Sequence, residues 1–392
     1  MSPPHRPPPE PAEPEALQRT ASETAQREGA QRGAAGTERK GAAPLDEDTL
    51  LPEGDDAPEV EALLADTPPP SRRKAFWLRF GQWGVGGAVL VGLGIAVARF
   101  GEPHNLLEIA RGAKPGWLLL AFGLQVLTYV ADANLWEHIL RRAGTHRPMR
   151  WMLRLTVAKY FLDQAVPSGG VSGTVLVVRA LTRSGVAPGV CAASLVLRLA
   201  TRWLAYGAAL LLALAYALEW ARLPRAALIA TAVFALGLLA IAALLTVLMW
   251  RPPRKAHPWL ERIGAVRGMV HWVLAADPHV MQSPALIAKA TGLQFAVHVL
   301  DALTLWASLE AVGENASVPA VLAAFMLASA FRSVAAVPGG LGTFEAGSVG
   351  ALVSLGVAAV PALTATLVFR ALSFWLPLLP GAWLTHREAR KR

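Results

Sequence analysis

Cysteine and charge are both scarce in this chain of 392 residues. The single cysteine, Cys191, excludes a disulfide within one chain and a metal site built from several thiolates. Charged residues make up only 17% of the sequence, whereas soluble domains carry about 25%, and hydrophobic residues reach 54%. We therefore expect an integral membrane protein rather than a soluble enzyme.

Motifs of enzymes and cofactor sites are also missing from the sequence. There is no HExxH, no GxSxG, no lysine-containing phosphate loop and no paired aspartate cluster. We expect no enzymatic activity, no cofactor and no metal. The net charge of +9 comes from short basic clusters between apolar stretches, not from a basic and aromatic surface, so we expect no nucleic-acid partner.

The first 74 residues lack the long apolar runs that fill the rest of the chain. They are rich in Pro, Ala, Glu, Gly and Arg, and no apolar signal-peptide core follows Met1. Such a segment buries too little apolar surface to offset the entropy of ordering the chain. We expect residues 1–74 to be a disordered cytoplasmic tail, which is either simply solvated or docks a protein partner, and residues 75–392 to be a transmembrane domain.

From Trp83 onward, several apolar stretches approach or exceed the roughly 20 residues that a membrane-spanning helix needs. The candidate spans are 83–99, 116–139, 187–217, 226–250, 286–311 and 361–384. Two further apolar regions, 151–182 and 318–357, are interrupted by proline and glycine clusters at Pro167 and Pro338. This pattern predicts an all-α, polytopic bundle of membrane helices.

The two halves of this domain repeat each other, with repeat one at about 116–217 and repeat two at about 286–384. Matching features follow in the same order at nearly constant separation: Gly123-Leu124-Gln125 and Gly292-Leu293-Gln294, Asp132 and Asp301, Trp136 and Trp306, Val166-Pro167 and Val337-Pro338, and finally Arg198 with Trp203 and Arg370 with Trp375. Five such matches in register indicate two copies of one membrane unit.

Basic clusters predict the topology, because cations accumulate on the cytoplasmic side of membrane proteins. They place both termini and the loops 141–150 and 251–271 inside, and leave 312–317 outside. This arrangement requires each glycine-broken region to return to the side from which it entered. The copies are then inverted repeats, which place a substrate site near the midplane at broken helices. The short arms favour a re-entrant hairpin in the first copy, whereas the arm 318–337 is long enough to span.

Ionisable residues inside apolar stretches are functional candidates, because each is costly there unless paired or hydrated. Arg198 and Arg370 stand out, since each follows a glycine break in its own half. A structural ion pair or a helix-packing hydrogen bond explains Asp132, Asp301 and Arg332 equally well. We gave less weight to three residues placed nearer an interface, namely Lys159, Asp163 and Arg202. Glycine breaks free backbone amides that suit an anion such as phosphate, and the alternative is a bend that serves only helix packing.

The segment Val337-Pro338-Gly339-Gly340-Leu341-Gly342-Thr343-Phe344-Glu345 resembles the signature of the flippase-like family named after the membrane region of lysylphosphatidylglycerol synthetase. The segment Pro167-Ser168-Gly169-Gly170, with Arg179, is similar to its first-half counterpart. The resemblance covers roughly residues 80–385. It implies a multi-pass plasma-membrane protein of a bacterium or archaeon that moves lipids between leaflets. The synthetase's aminoacyl-transferase domain has no counterpart here, so only the translocation half of the resemblance applies.

We therefore expect a lipid flippase-like transporter in a bacterial plasma membrane, with membrane lipids as its partners. Arg198 and Arg370 would hold a phosphate, and Glu345 with the aspartates would meet a cationic headgroup part or balance the arginines. The candidate substrate-binding residues are Arg198, Arg370, Glu345, Pro338, Gly339, Gly340, Gly342, Pro167, Gly169, Gly170, Asp132, Asp301 and Arg332. The alternative is a non-transporting scaffold for envelope-lipid or glycolipid synthesis. The sequence leaves the oligomeric state open.

Overall fold

The computed structural model describes residues 112–165, 171–221, 224–251, 272–335, 338–377 and 380. Helices dominate these ranges, and the described residues contain no strand, in agreement with the predicted all-α fold. The predicted tail, 1–74, and the first predicted span, 83–99, lie outside the described residues.

Four of the described helices are long and apolar enough to cross a membrane. They are α1 (Pro115–Arg142), α4 (Pro188–Trp220), α5 (Arg225–Trp250) and α6 (Pro284–Ala311). Helices α1, α4 and α6 each begin with proline, whose missing N–H has no helical partner at that position in any case. These four helices agree closely with the predicted spans, and they make the chain an integral membrane protein.

Shorter helices occupy the two regions that the sequence marks with glycine. The first region holds α2 (Met149–Ala165) and α3 (Val171–Arg183), and the residues between them, 166–170, are outside the described ranges. The second holds α7 (Val318–Ala335) and α8 (Thr343–Ser354), with a 3₁₀ turn at Pro338–Gly340 between them. Helix α9 (Ala359–Arg370) follows and continues into a π-helical turn, Ala371–Trp375.

Helices α1 and α6, which hold matching positions in the two repeats, pack side by side in opposite directions. The Lys114 amide donates to the carbonyl of Ala311 at 2.8 Å, so the start of α1 lies against the end of α6. The Trp117 and Trp306 rings meet edge to face at the same end, with centroids 5.2 Å apart. This antiparallel pair brings residues of the two repeats into direct contact.

Hydrogen bonds between helix ends show which ends lie together. The Asp277 amide donates to the Gly189 carbonyl at 2.9 Å, and the Gln282 side chain donates to the Met249 carbonyl at 3.2 Å. The starts of α4 and α6 therefore lie beside the end of α5. The Arg147 guanidinium donates to the Ser184 carbonyl, so the chain entering α2 lies next to the chain leaving α3.

Apolar side chains form separate cores around the two glycine-broken regions. The core of the first region contains Trp136, Leu155 and Leu181 from α1, α2 and α3. The core of the second is built on Phe325, Phe344 and Phe369 from α7, α8 and α9, whose ring centroids lie 5.5–5.9 Å apart. Helix α5 leaves most of its apolar side chains exposed. Such exposure is expected of a membrane-spanning helix whose apolar face contacts lipid.

Candidate functional site

In the first half, a buried carboxylate on α1 holds two cations from other helices. Arg198 of α4 donates Nη2 to Asp132 Oδ1 at 2.5 Å, and Lys159 Nζ of α2 lies 3.9 Å from the other oxygen, Oδ2. The Trp136 ring lies 4.7 Å from the Arg198 guanidinium carbon. Three helices are therefore joined through the single carboxylate of Asp132.

Lys159 extends this network to a second acid within α2. Its Nζ lies 3.1 Å from Asp163, whose Oδ1 accepts a hydrogen bond from the Gly173 amide of α3 at 3.0 Å. A side chain at position 173 would overlap Asp163 and the Lys159 carbonyl, so glycine is what permits this close approach. Lys159 is only 3% exposed, so it lies deeper in the protein than the interface position that its place in the sequence suggests.

In the second half, Arg370 occupies the end of α9 and reaches back to the glycine break. Its Nε donates to Glu345 Oε1 of α8 at 2.7 Å, and its Nη2 donates to the Gly339 carbonyl at 2.9 Å. The guanidinium carbon lies 4.4 Å from the Phe374 ring centroid. Both charged residues are buried, so the pair connects α9 to the start of α8.

The glycines of the second break make room for these side chains. Gly339, Gly340 and Gly342 all have positive φ, which side chains with a Cβ rarely adopt. A Cβ on Gly339 would overlap the Phe374 ring, and one on Gly340 would overlap the aliphatic stem of Arg332. Pro338 opens the 3₁₀ turn. The motif thus forms the surface on which Arg332 and Phe374 pack.

The two halves also bond to each other through the π-helical turn that follows Arg370. Tyr129 of α1 donates to the Leu372 carbonyl at 3.3 Å, and Gln164 of α2 donates to the Ser373 carbonyl at 3.2 Å. A π-helical turn leaves backbone carbonyls without their usual α-helical partners, which makes them available to side chains. First-half side chains therefore bond to the backbone of the second.

Asp301 has no charged partner of the kind that Asp132 has, although the two occupy matching positions. It is half-buried on α6 and accepts a hydrogen bond from Gln125 of α1 at 3.4 Å. Among the described residues, no basic side chain lies within ion-pair distance of it; Arg332 is within electrostatic range. The Gln125 contact is a direct side-chain link between the two repeats.

Arg202, to which the sequence analysis gave little weight, lies on the same face of α4 as Arg198 and Tyr206. The three residues are spaced four apart and so share one face of α4, on which Arg198 and Tyr206 contact other helices. The Tyr206 ring lies 5.2 Å from the His298 ring of α6, and its hydroxyl is 3.4 Å from the Ser333 hydroxyl of α7. Arg202 is nevertheless exposed, although it lies near the middle of a 33-residue helix.

Arg332 of α7 approaches the same place from the opposite side. Its guanidinium carbon is 5.6 Å from the Phe344 ring centroid, and it shares with Arg202 an electrostatic interaction with both Tyr206 and His298. Neither arginine forms an ion pair within the part of the chain that the structure describes. Because Arg202 lies one turn before Tyr206 and Arg332 lies next to Ser333, whose hydroxyl is 3.4 Å from that of Tyr206, the two arginines stand on facing stretches of α4 and α7.

The structure brings together most of the predicted site residues that it describes, but in separate groups. Asp132 joins Arg198, Glu345 joins Arg370 and Gly339, and Gly340 supports Arg332, whereas Asp301 contacts Gln125. Pro167, Gly169 and Gly170 lie outside the described residues. Within the described ranges, no three His, Cys, Asp or Glu side chains are placed to hold a metal ion. The proposed roles of these residues in binding a headgroup stay predictions.

Sequence reasoning missed Arg202, Tyr206 and His298 as a group. A signal for them is present, because polar residues recur every three or four positions within otherwise apolar spans. Four helices carry such a row of polar residues: Gln125, Tyr129 and Asp132 on α1; Arg198, Arg202 and Tyr206 on α4; Gln294, His298 and Asp301 on α6; and Ser329, Arg332 and Ser333 on α7. Such spacing marks one face of a helix and predicts a shared polar interior.

Comparison with known proteins supports the resemblance first drawn from the glycine motif. A model of the family described as the lysylphosphatidylglycerol synthase TM region matches residues 83–381. No curated protein matches the chain. The match extends over both repeats and includes every charged side chain described above.

Proposed function

The chain belongs to the lysylphosphatidylglycerol synthase TM region family, and we propose that it is a transporter that moves a lipid between the two leaflets of a membrane. We place it in the plasma membrane of a bacterium, with both termini cytoplasmic, as the basic clusters predict. In this proposal it acts on lipids without changing their covalent structure.

The exposure of Arg202 is the observation that carries this proposal. An arginine near the middle of a membrane-spanning helix is costly if it faces lipid, because its charge loses hydration. Arg202 cannot turn to the lipid side without turning away from the face that it shares with Arg198 and Tyr206, both of which contact other helices. An opening that admits water or a headgroup between the helices accounts for both facts.

The arrangement of helices supports a path built from two inverted repeats. Helices α1 and α6 are matching elements that run antiparallel, as inverted copies require. The bond from Arg147 to Ser184 holds the entry to α2 beside the exit of α3, as expected for a re-entrant hairpin. We propose that the headgroup passes between these broken helices while its acyl chains remain in the lipid.

A scaffold without transport activity is the second candidate, and the buried ion pairs favour it. Arg198 and Arg370 already have acidic partners and are only 6% and 4% exposed. Paired and dry charges suit a rigid framework, whereas a transporter needs at least some charges that face water. Arg202 meets that second requirement, which is why we rank transport first.

Reconstitution tests the proposal directly. The purified full-length chain is placed in vesicles that contain a trace of lipid with a fluorescent acyl chain, and a membrane-impermeant reductant then quenches the outer leaflet. A transporter makes the inner-leaflet pool accessible as well, so the final fluorescence falls below that of protein-free vesicles. Lipids with anionic, zwitterionic and cationic headgroups are compared in parallel.

Two arginine variants give a matched control for this assay. Arg202→Gln removes the exposed charge on α4, and we expect lipid exchange to fall sharply. Arg225→Gln removes an exposed arginine at the start of α5, far along the chain from the polar region, and should exchange lipid as the parent does. Exchange by the parent protein that never exceeds protein-free vesicles, for any headgroup, would favour the scaffold.

A further inference from the structure

The polar region between the repeats carries more positive than negative charge. Five basic side chains accompany four carboxylates there: Lys159, Arg198, Arg202, Arg332 and Arg370 with Asp132, Asp163, Asp301 and Glu345. Three of the acids are held by Lys159, Arg198 or Arg370. One positive charge remains when all these groups are ionised, and an unbalanced charge at this depth is unfavourable. An anion bound in the region would neutralise it.

The unbalanced charge is located at Arg202 and Arg332. The acid in electrostatic range of Arg202 is Asp132, which already holds Arg198 and Lys159. Arg332 interacts with Asp301 only beyond ion-pair distance. Arg202 is one turn before Tyr206 on α4, and Arg332 is next to Ser333 on α7; the Tyr206 hydroxyl lies 3.4 Å from that of Ser333, and its ring lies 5.2 Å from His298. Arginines on two facing helices suit the oxygens of a phosphate.

Several buried polar side-chain atoms lack hydrogen-bond partners among the described residues, and two of them lie on the helices that carry this region: Nε2 of His298 on α6 and Oγ of Ser329 on α7. Buried polar groups in native proteins are nearly always hydrogen-bonded to protein, water or ligand. His298 packs against Tyr206, and Ser329 lies on the same face of α7 as Arg332 and Ser333, because they are three and four residues apart. Both atoms therefore have hydrogen-bonding capacity left for a bound group.

We propose that Arg202 and Arg332, with Tyr206, His298 and Ser329, form an anion site that takes the phosphate of a phospholipid headgroup. This inference rests on the proposed function, since it identifies the part of a transported lipid that the protein holds. Gly340 leaves room for the aliphatic stem of Arg332, which lies where a Cβ at position 340 would be, so the Arg332 side chain is already oriented before an anion binds. Arg198 and Arg370 hold the helices around the site rather than the phosphate itself.

Binding by the full-length protein in a neutral detergent tests the site without any transport assay. The probes are dioctanoyl phosphatidic acid, dioctanoylglycerol, which lacks the phosphate, and inorganic phosphate, which lacks the acyl chains. We expect calorimetric titration to detect binding of phosphatidic acid, and to give the two other probes an affinity lower by about tenfold or more. Arg202→Gln and Arg332→Gln should each weaken phosphatidic acid binding by about tenfold or more, whereas Arg225→Gln should leave it unchanged.

Thermal unfolding checks that each variant is folded. If a glutamine variant is not folded, the lysine variant at the same position, Arg202→Lys or Arg332→Lys, replaces it. The lysine variants keep the charge but lose the planar fork, so we expect an intermediate loss of affinity. Unchanged affinity in folded variants of both arginines overturns the site. Equal binding of inorganic phosphate and phosphatidic acid overturns its assignment to a lipid headgroup. Binding that meets expectation in a protein that exchanges no lipid supports the site and contradicts the proposed function.

Discussion

Asp132 and Asp301 occupy matching positions in the two repeats, but their surroundings differ. Asp132 is fully enclosed and holds two cations, whereas Asp301 is half-buried and accepts one long hydrogen bond from Gln125. The arginines that follow the two glycine breaks also differ in their acidic partners. Arg198 pairs with the aspartate on α1, and Arg370 pairs with Glu345 at the break itself.

The composition of the two breaks explains this difference. In the register set by Pro167 and Pro338, Thr174 stands where the second half has Glu345. The first half therefore has no acid at the start of α3 for Arg198, and Asp132 takes that place. In the second half Glu345 holds Arg370, and Asp301 has no paired cation among the described residues. The two halves thus distribute charge differently, because each buried arginine must find an acid nearby.

The largest effect is expected at Asp132. Asp132→Asn leaves Arg198 and Lys159 without their shared carboxylate, and removing one partner of a buried pair costs about 3–5 kcal/mol. We expect a marked drop in the thermal unfolding midpoint of the detergent-solubilised protein. The double change Asp132→Asn with Arg198→Met should recover part of the loss, since one stranded cation is then gone. A midpoint equal to that of the parent protein would mean that the network does not stabilise the fold.

The second half allows the same experiment with a different partner. Arg370→Ala removes the cation beside Glu345 and also the donor to the Gly339 carbonyl, so we expect a loss of similar size, about 3–5 kcal/mol. Adding Glu345→Ala should restore much of it. The sequence predicts instead that Arg370 holds a phosphate. A normal unfolding midpoint combined with lost lipid exchange would support that prediction and make Arg370 a headgroup residue.

A moderate effect is expected at the glycine break, which has a matched control within the next helix. Gly340→Ala forces a Cβ into a left-handed conformation and against the stem of Arg332, and backbone strain of this kind costs about 1–3 kcal/mol. Gly350→Ala meets no atom within 4 Å and lies inside α8, so it should be neutral or stabilise the protein by about 0.5–1 kcal/mol. Equal unfolding midpoints for the two variants would show that the break tolerates side chains.

The smallest effect is expected at Asp301, the counterpart of Asp132. Asp301→Asn keeps an oxygen that can accept from Gln125, and side-chain hydrogen bonds between membrane helices average only about 0.6 kcal/mol. We therefore expect the unfolding midpoint to move little in the same thermal assay. A loss as large as that of Asp132→Asn would show that Asp301 holds a cation in solution, and the contrast between the halves would disappear.

Much of the helical framework was predictable from local sequence. The predicted spans 116–139, 187–217, 226–250 and 286–311 each became a single helix with ends displaced by at most a few residues. Apolar stretches of this length have few alternatives in a membrane, because every backbone group must be bonded within the segment. The turn at Pro338–Gly340 between α7 and α8 was predictable for the same reason, since proline and glycine disrupt that bonding. The first predicted break, at Pro167 and the glycines after it, lies outside the described residues.

The partners of the charged residues were far less predictable. Repetition in the sequence suggested that Asp132 and Asp301 behave alike, and that Arg198 and Arg370 do so too. Lys159 and Arg202 were underestimated, because their positions along the chain do not say which face of the helix is enclosed. Periodic polar residues within α1, α4, α6 and α7 were the signal available for grouping them.

Local sequence thus determined the class of protein, the long helices and the glycine break between α7 and α8, because these depend on hydrophobic length and on backbone chemistry within about 20 residues. Tertiary structure decided which acid each arginine meets and which arginines are left without one. Those outcomes depend on distances between helices that are far apart in the chain, such as α1 and α4 or α4 and α7. The strength of an ion pair changes steeply with separation and burial, so it is set only when the helices pack.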